Sequence, residues 1–415
     1  MYIDNIQMTN FRTFQGAKVD FVHPDRDFEK SNFPKPKIPN INLLLGNNGS
    51  GKTSLLKAIA IAALGPAVTA ANLPVYRLIR RSSKIQEPAT IPTEAIIEAN
   101  FIPHQQDEES LNHPLLESRT TISRIGDLEL PTWTHPDPKP WHPIYSNAGD
   151  AFFFVGYGAT RRVEAKDVVD PGARQANSFV RAQRIRSLFE EAYSLIPLSI
   201  WLPQLAATNQ GRFTQVKHLI DQLLHHTGYT FSGQQEDGEY LFERRGMGVP
   251  FPALSDGYRA YLGWIGDLLY HVCYTCPSGK KLVENRGIVM VDEIDLHLHP
   301  KWQMTVLPTL SRALPNLQFI VTSHSPLVVG SLEWMNILMM VPNPEQASKV
   351  KRIPSAVHGL DADQILLTDF FGLNSTRAPG KKRQLKALSL EASNGSSEAA
   401  KMLMEEMSRG IEETV

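Results

Sequence analysis

The segment GNNGSGKT, Gly46–Thr53, is the most informative part of this 415-residue chain and fits the pattern G-x-x-x-x-G-K-[ST]. Glycines let backbone N–H groups close around phosphate oxygens, and the start of a following helix adds partial positive charge. Lys52 would reach the β- and γ-phosphates, and the Thr53 hydroxyl would ligate Mg²⁺. The alternative is a glycine-rich turn followed by a chance Lys-Thr pair. The predicted nucleotide-contacting residues are Gly46, Asn47, Asn48, Gly49, Ser50, Gly51, Lys52, Thr53 and Ser54.

The sequence on either side of this loop predicts a buried strand before it and a helix after it. Residues 42–45 (NLLL) form a short apolar run, which is typical of a strand in a parallel sheet. Residues 52–64 read as a helix that ends at Gly65-Pro66. Strand, loop and helix in this order are the context that a phosphate-binding loop requires.

A second apolar run, Gly287–Val291, ends in Asp292 and Glu293. In a nucleotide site, such a strand delivers the Asp292 carboxylate to the water shell of Mg²⁺ and places Glu293 where it can polarise the attacking water. The alternative is an ordinary strand that ends in a solvated acidic pair. A helix from 301 to 314 and a strand from 318 to 322 are predicted to follow.

Two polar segments complete the set of candidate site residues. His324 follows the strand that ends at Thr322, where it could hydrogen-bond the γ-phosphate; an exposed histidine beside a capping serine is the alternative. Ser255, Asp256 and Gly257 open a long predicted helix. Ser255 is either a helix cap or, together with the Gly257 amide, part of a second anion site that faces a phosphate from another subunit.

Taken in order, these motifs resemble the ABC-type ATPase superfamily, in its RecF/SMC-like branch of non-transporter ATPases. The segment 254–259 resembles that family's signature motif, with Asp256 where Gly is more usual. The segment 294–303 (IDLHLHPKWQ) resembles the D-loop region of bacterial members found in anti-phage systems, including PtuA-like Septu and retron-associated ATPases. Asn10–Phe14 is similar to the family's first strand and turn.

The resemblance implies a head-to-tail homodimer, or a higher oligomer, that sandwiches two ATP molecules with Mg²⁺. Each ATP would be held by Gly46–Thr53 of one chain and by Ser255–Gly257 of the other, with Thr53 and Asp292 at the metal, Glu293 as general base and His324 near the γ-phosphate. Two features depart from the family. The middle region is too short for long coiled-coil arms, and no glutamine stands in 156–162, the neighbourhood of the Q-loop.

Composition places the chain among ordinary globular proteins. The 42 Lys and Arg residues nearly balance the 43 Asp and Glu residues, so no overall field favours nucleic acid or an anionic membrane. Two cysteines make no disulfide framework, and no leader or membrane-spanning run is visible, which together predict a cytoplasmic protein.

Weaker patterns have two readings each. Cys273 and Cys276 are buried structural cysteines or half of a metal site shared across a dimer, and His297 with His299 belongs to the D-loop or to a metal site with Asp295. Three basic clusters are solvated faces or a nucleic-acid groove. Their members are Arg77, Arg80, Arg81 and Lys84; Arg161, Arg162 and Lys166; and Arg174, Arg181, Arg184 and Arg186.

The predicted fold class is α/β: an ABC-ATPase-like P-loop head with a β-rich N-terminal lobe and a helical insertion. The expected divisions are 1–160 (β lobe and P-loop part), 161–235 (helical insertion), 236–345 (signature and acidic-pair part) and 346–415 (C-terminal extension). We expect an ATPase that regulates a separate effector, a nuclease or toxin, in bacterial phage defence. The alternatives are a stand-alone RecF-like DNA-binding repair ATPase and a protein that binds ATP without turnover.

Overall fold

A computed structural model describes residues 1–81, 92–103, 115–141, 153–163, 180–225, 227–342 and 348–408. Lys84, Lys166 and Arg174, which belong to the predicted basic clusters, lie outside these ranges. The chain forms two compact units, Met1–Leu360 and Asp361–Val415. The divisions expected after residues 160, 235 and 345 stay predictions.

The first unit contains all the strands found in the described residues. They are β1 (Tyr2–Phe11), β2 (Phe14–Asp20), β3 (Ile41–Gly46), β4 (Glu94–Ile102), β5 (Leu116–Ile125), β6 (Leu128–Trp133), β7 (Phe154–Tyr157), β8 (Arg162–Val163), β9 (Ser194–Leu195), β10 (Thr230–Glu236), β11 (Glu239–Arg244), β12 (Met247–Pro250), β13 (Gly287–Val291), β14 (Leu317–Ser323), β15 (Ile337–Val341) and β16 (Lys349–Lys351).

The helices of the first unit lie between and after these strands. They are α1 (Lys52–Leu64), α2 (Val180–Ile185), α3 (Leu198–Thr208), α4 (Gln210–Leu224), α5 (Asp256–Thr275), α6 (Pro300–Gln303), α7 (Val306–Ala313) and α8 (Pro326–Gly330). The second unit has α9 (Ala362–Leu367), α10 (Pro379–Ser393) and α11 (Ser397–Ser408).

The central sheet has the order β16-β15-β3-β14-β13-β7, and all its neighbours run parallel except β15 and β16. Every residue of β3, β13 and β14 is buried, which confirms the strands predicted from continuous apolar runs. Parallel strands bring their carboxyl ends to one edge of the sheet. This edge therefore collects the segments that follow β3, β13 and β14.

A second, antiparallel sheet of order β2-β1-β4-β5-β6 forms the β-rich lobe. Helix α1 is apolar around nearly its whole circumference and packs in the core between the two sheets, as its burial pattern requires. The Ser118 hydroxyl of β5 donates a 2.9 Å hydrogen bond to the carbonyl of Ala62 in α1. The lobe thus fixes the helix that follows the glycine-rich loop.

Some elements of the first unit are not evident from local sequence patterns. Strands β10, β11 and β12 form a three-stranded sheet, although β10 is largely polar and gives little hydrophobic signal. Strand β6 contains Pro131 and extends to Trp133; it lies at a sheet edge, where proline is tolerated. The helix expected at 301–314 is divided into α6 and α7.

The second unit is helical. Helix α10 begins with Pro379 in its first turn, a position that suits proline. No helix within the described ranges has the length and apolar character needed to cross a membrane.

Candidate nucleotide site

The glycine-rich loop connects β3 to α1 and is shaped by close contacts that exclude larger residues. Gly51 has φ 106°, and a Cβ atom there would lie 2.4 Å from Thr13 Oγ1 and 2.7 Å from the Phe14 ring. A Cβ on Gly46 would lie 2.6 Å from the carbonyl oxygen of Met340. The loop therefore needs glycine at both ends because neighbouring strands and the β1–β2 turn press against its backbone.

Lys52 is buried at the start of α1 and points back over the loop. Its Nζ donates hydrogen bonds to the carbonyl oxygens of Gly46, at 2.8 Å, and Asn47, at 3.2 Å. Burial lowers the pKa of Lys52, and the carboxylates of Asp292, Glu293 and Asp295 oppose this shift. The ammonium group thus lies inside the loop that would surround a phosphate chain.

The glycine-rich loop also contains a buried hydroxyl group, that of Ser50, without a hydrogen-bond partner among the described residues. Gly49, in a left-handed conformation, has open space where a side chain would stand. An anion held by the loop would meet the positive charge of Lys52 and the partial positive charge at the start of α1. The residues present therefore fit the phosphates of a nucleotide.

Asp292 follows β13 and joins three segments. Its carboxylate accepts a 2.7 Å hydrogen bond from Thr53 Oγ1, across 239 residues of sequence, and a 2.6 Å bond from Thr322 Oγ1. Hydroxyl and carboxylate oxygens are the ligands that Mg²⁺ prefers, with water and substrate phosphates for its remaining positions. Thr53 and Asp292 are therefore the residues that would hold this ion. In the described part of the chain no cluster of three His, Cys, Asp or Glu side chains could hold a metal by itself.

Glu293 adopts a left-handed backbone conformation, with φ 51°. Its N–H donates to Thr322 Oγ1 at 2.7 Å, and its carbonyl accepts from Arg161, so the hydrogen bonds that it makes with described residues all involve its main chain. Glu293 is half-buried and lines the same cleft as Lys52 and Thr53. Its carboxylate is therefore available to a ligand in that cleft.

The cleft measures about 750 Å³, which is within the range of small-molecule sites. Asn48, Gly49, Gly51, Ser54 and the exposed His324 contribute to its wall; Asn47 contributes through its bond to Lys52. Burial and the positive charge of Lys52 lower the pKa of His324 below its usual 6.5, so the ring is neutral at pH 7.

Sequence reasoning missed part of the wall of the cleft. The β1–β2 turn contributes Arg12 and Thr13 to the wall, and the segment 76–81 contributes Tyr76, Arg77 and Arg81. The Arg12 guanidinium donates to the carbonyl of Tyr76 at 3.3 Å, which links the two segments. The sequence shows these basic residues, but only the folded β-rich lobe brings them to the wall of the cleft.

The signature residues are elsewhere. Ser255 and Asp256 are exposed, and neither they nor Gly257 line the cleft. A Cβ on Gly257 would lie 2.7 Å from the carbonyl oxygen of His297, so α5 begins in close contact with the segment after Glu293. The Ser255 side chain makes no capping hydrogen bond. Ser255 thus occupies the N-cap position of α5, as the capping alternative expects, but its exposed side chain does not cap the helix.

The weaker patterns have structural outcomes. Cys273 and Cys276 are buried and unpaired, as expected of structural cysteines. Arg161 is only 7% exposed, so it forms neither a solvated face nor an open nucleic-acid groove. Burial lowers the pKa of Arg184 to about 10, and its guanidinium lies over the Phe153 ring, at 5.8 Å.

Comparison with known proteins defines the class. Residues 41–330 match the family model described as "AAA domain, putative AbiEii toxin, Type IV TA system", and residues 1–63 match "AAA ATPase domain". The chain belongs to the first of these families, since the match covers more than half of it. The fold is that of an ABC-type, SMC-like P-loop head. A solved structure described as "SmcHead bound to the C-winged helix domain of ScpA" superposes with a TM-score of 0.50 at 15% identity, covering 85% of this chain and 98% of that one.

Among individual proteins, the chain is similar to the Septu protein PtuA of Bacillus mycoides strain KBAB4. The two are 26% identical over 90% of this chain and 45% of PtuA. It is also 32% identical to the Retron Ec83 probable ATPase of Escherichia coli, over 31% of this chain and 23% of that protein. The chain thus matches less than half the length of these curated relatives.

Proposed function

We propose that this chain binds ATP with Mg²⁺ in the cleft and hydrolyses it. The observation that supports this most directly is the Asp292 carboxylate, which is hydrogen-bonded to Thr53 of the glycine-rich loop across 239 residues. Lys52 and the half-buried Glu293 line the same cleft as Thr53 and Asp292. The groups that phosphate, metal and an attacking water require are therefore together in one cleft.

In this proposal each residue has one role. Lys52 and the loop N–H groups hold the phosphates, and Thr53 and Asp292 hold Mg²⁺, which neutralises phosphate charge when bound. Glu293 accepts a proton from the attacking water because its carboxylate has no competing partner among the described residues. Neutral His324 donates a hydrogen bond to the γ-phosphate.

We further propose that hydrolysis requires a second copy of the chain. Ser255, Asp256 and Gly257 are exposed or partly exposed at the start of α5, outside the cleft that contains the other site residues. The 20-residue helix α5 has no side-chain cap at its N-terminus, because the Ser255 side chain makes no capping bond. Such a helix start is suited to an anion supplied from outside the subunit. In a head-to-tail homodimer, that anion is the γ-phosphate bound by the partner.

We propose a role in bacterial anti-phage defence, in the cytoplasm, as a regulator of a separate nuclease or toxin; the similarity to the Septu protein PtuA and to a retron ATPase supports the link to defence. The competing function is stand-alone DNA binding of the RecF type. The burial of Arg161 removes one of the cations on which that reading depended. Stable co-purification with the product of a neighbouring gene supports regulation, whereas salt-dependent DNA binding by the isolated chain supports the competitor.

The variant Glu293→Gln tests the proposal. We expect ATP binding to be retained, turnover to fall on the order of 100-fold or more, and an ATP-bound dimer to accumulate. Native mass spectrometry with ATP and Mg²⁺ measures the dimer, and phosphate release measures turnover. The control is the double variant Lys52→Ala, Glu293→Gln, which should remain monomeric because it cannot bind ATP. A single variant with wild-type turnover or the same mass as wild type would refute the corresponding half of the proposal.

A further inference from the structure

Arg161 stands at the end of a tightly constrained loop behind the acidic pair. The loop follows β7, which pairs in parallel with β13 so that Tyr157 lies beside Val291. A Cβ on Gly158 would lie 2.2 Å from the carbonyl oxygen of Ser187, so the chain can pass only as glycine there. Arg161 itself is left-handed, with φ 34°. These contacts direct the Arg161 side chain under the end of β13.

The Arg161 guanidinium donates hydrogen bonds to the main chain of the acidic pair, Asp292 and Glu293. Nη1 donates to the carbonyl oxygen of Asp292 at 3.2 Å, and Nη2 donates to that of Glu293 at 2.8 Å. The N–H groups of the same two residues are held by the Tyr157 carbonyl, at 2.8 Å, and by Thr322 Oγ1, at 2.7 Å. The backbone of both acidic residues is therefore fixed on both sides.

This arrangement is costly for a purely structural contact. A buried guanidinium loses hydration, and burial lowers the pKa of Arg161 to about 10, against the attraction of Asp292, Asp295 and Glu293. It stays charged at neutral pH. Glu293 also has a left-handed backbone, which a residue with a side chain adopts only when its surroundings hold it there. The planar fork of arginine suits two successive carbonyls in a way that a lysine ammonium does not.

We propose that Arg161 is a positioning residue that holds Glu293 in its left-handed conformation and so aims its carboxylate into the nucleotide cleft. Arg161 does not line the cleft and touches the site through the carbonyls of the acidic pair. The proposal rests on the proposed ATPase function, since it assigns the geometry on which the general base depends. A small displacement of such a base costs a large factor in rate while leaving phosphate binding intact.

The test compares Arg161→Met with Arg352→Met. Arg352 is a matched control: burial lowers its pKa to about 10, and it also donates to two main-chain carbonyls, those of Met335 at 2.9 Å and Asp20 at 2.8 Å. We expect Arg161→Met to lower kcat on the order of 10- to 100-fold with the Kd for ATP changed by less than about threefold. Arg352→Met should lower the unfolding temperature without changing kcat by more than about twofold.

Two further measurements separate positioning from general damage. In a Glu293→Gln background, Arg161→Met should cause no further loss of turnover, because both changes remove one function. A crystal structure of Arg161→Met should show residue 293 outside the left-handed region while Asp292 keeps its bonds to Thr53 and Thr322. Equal kcat losses in the two arginine variants, an additive loss in the double variant, or an unchanged backbone at Glu293 would overturn the proposal.

The crystal structure of Arg161→Met also separates a failure of the proposed ATPase function from a failure of the positioning role of Arg161. If wild-type protein neither binds nor hydrolyses ATP, the proposed function fails, and the backbone of residue 293 in Arg161→Met alone decides whether Arg161 holds the acidic pair. If wild-type protein hydrolyses ATP and the variant matches it in rate, the function stands and the positioning role is refuted.

Discussion

The cleft and the signature surface differ in how complete they are within one chain. At the cleft, Thr53 and Thr322 donate hydrogen bonds of 2.7 and 2.6 Å to the Asp292 carboxylate, although the three residues follow or end different strands. Lys52 is held in the same cleft by its bonds to the loop carbonyls of Gly46 and Asn47. At the signature surface, Ser255 is exposed and its side chain makes no capping bond. One region is assembled by folding within one chain, whereas the other is an exposed helix start in which Asp256 pairs with Arg259 of the same helix.

This difference separates binding from turnover. The cleft contains the groups that phosphate and metal require, so one chain should bind nucleotide. The signature surface contributes only if another copy supplies a phosphate to it. Variants in the two regions should therefore have different effects on affinity and rate.

The largest effect is expected from Lys52→Ala in the cleft. Removing the ammonium that lies inside the loop should weaken ATP binding on the order of 100-fold, because a charge-assisted contact to phosphate is lost. Isothermal titration calorimetry measures the affinity. The control is Lys57→Ala on the same helix, whose ammonium lies over the Phe189 ring at 5.4 Å and should not affect binding. Undiminished binding by Lys52→Ala would refute the loop assignment.

A smaller effect, confined to rate, is expected from Ser255→Arg. The bulky cation should block the approach of a second subunit and lower turnover on the order of 10-fold or more, with ATP affinity unchanged. Ser278→Arg is the matched control, since Ser278 is exposed just beyond the other end of α5. Phosphate release and calorimetry separate the two effects. If Ser255→Arg hydrolyses ATP at the wild-type rate, the signature surface has no role in turnover.

The smallest effect concerns His324 and pH. Because its pKa is lowered in the folded cleft, the unfolded chain binds more protons, and stability should fall as pH drops from the unfolded pKa of 6.5 through the folded value. Since the ring is exposed, the difference in melting temperature between wild type and His324→Gln should be less than about 2 °C. Scanning calorimetry at pH 8 and pH 5 measures it. A larger loss on acidification in His324→Gln than in wild type would contradict the sign.

Much of the fold was predictable because its signals are local. The buried strands β3, β13 and β14 and the helix α1 have continuous apolar runs, and their bounds agree with the structure within about two residues. Elements with mixed composition were less predictable. The polar strand β10 and the proline-containing end of β6 are stabilised by sheet neighbours, which a single sequence does not reveal.

The candidate site divides in the same way. The glycine-rich loop and the acidic pair were evident because phosphate binding requires particular residue types at fixed spacing. The role of Arg161 was not, since among other arginines it looked like part of a surface cluster, and its partners are main-chain carbonyls that carry no sequence signature.

The sequence by itself determined that a phosphate-binding loop lies between a strand and a helix and that an acidic pair ends another strand. Only the tertiary structure decided that Thr53 meets Asp292, that Ser255 lies outside the cleft, and that a buried arginine hydrogen-bonds to the backbone of Glu293. The physical reason is the separation of the interacting residues along the sequence. Local chemistry dictates residue type along a loop, whereas strand order in the sheet dictates which distant residues share an edge.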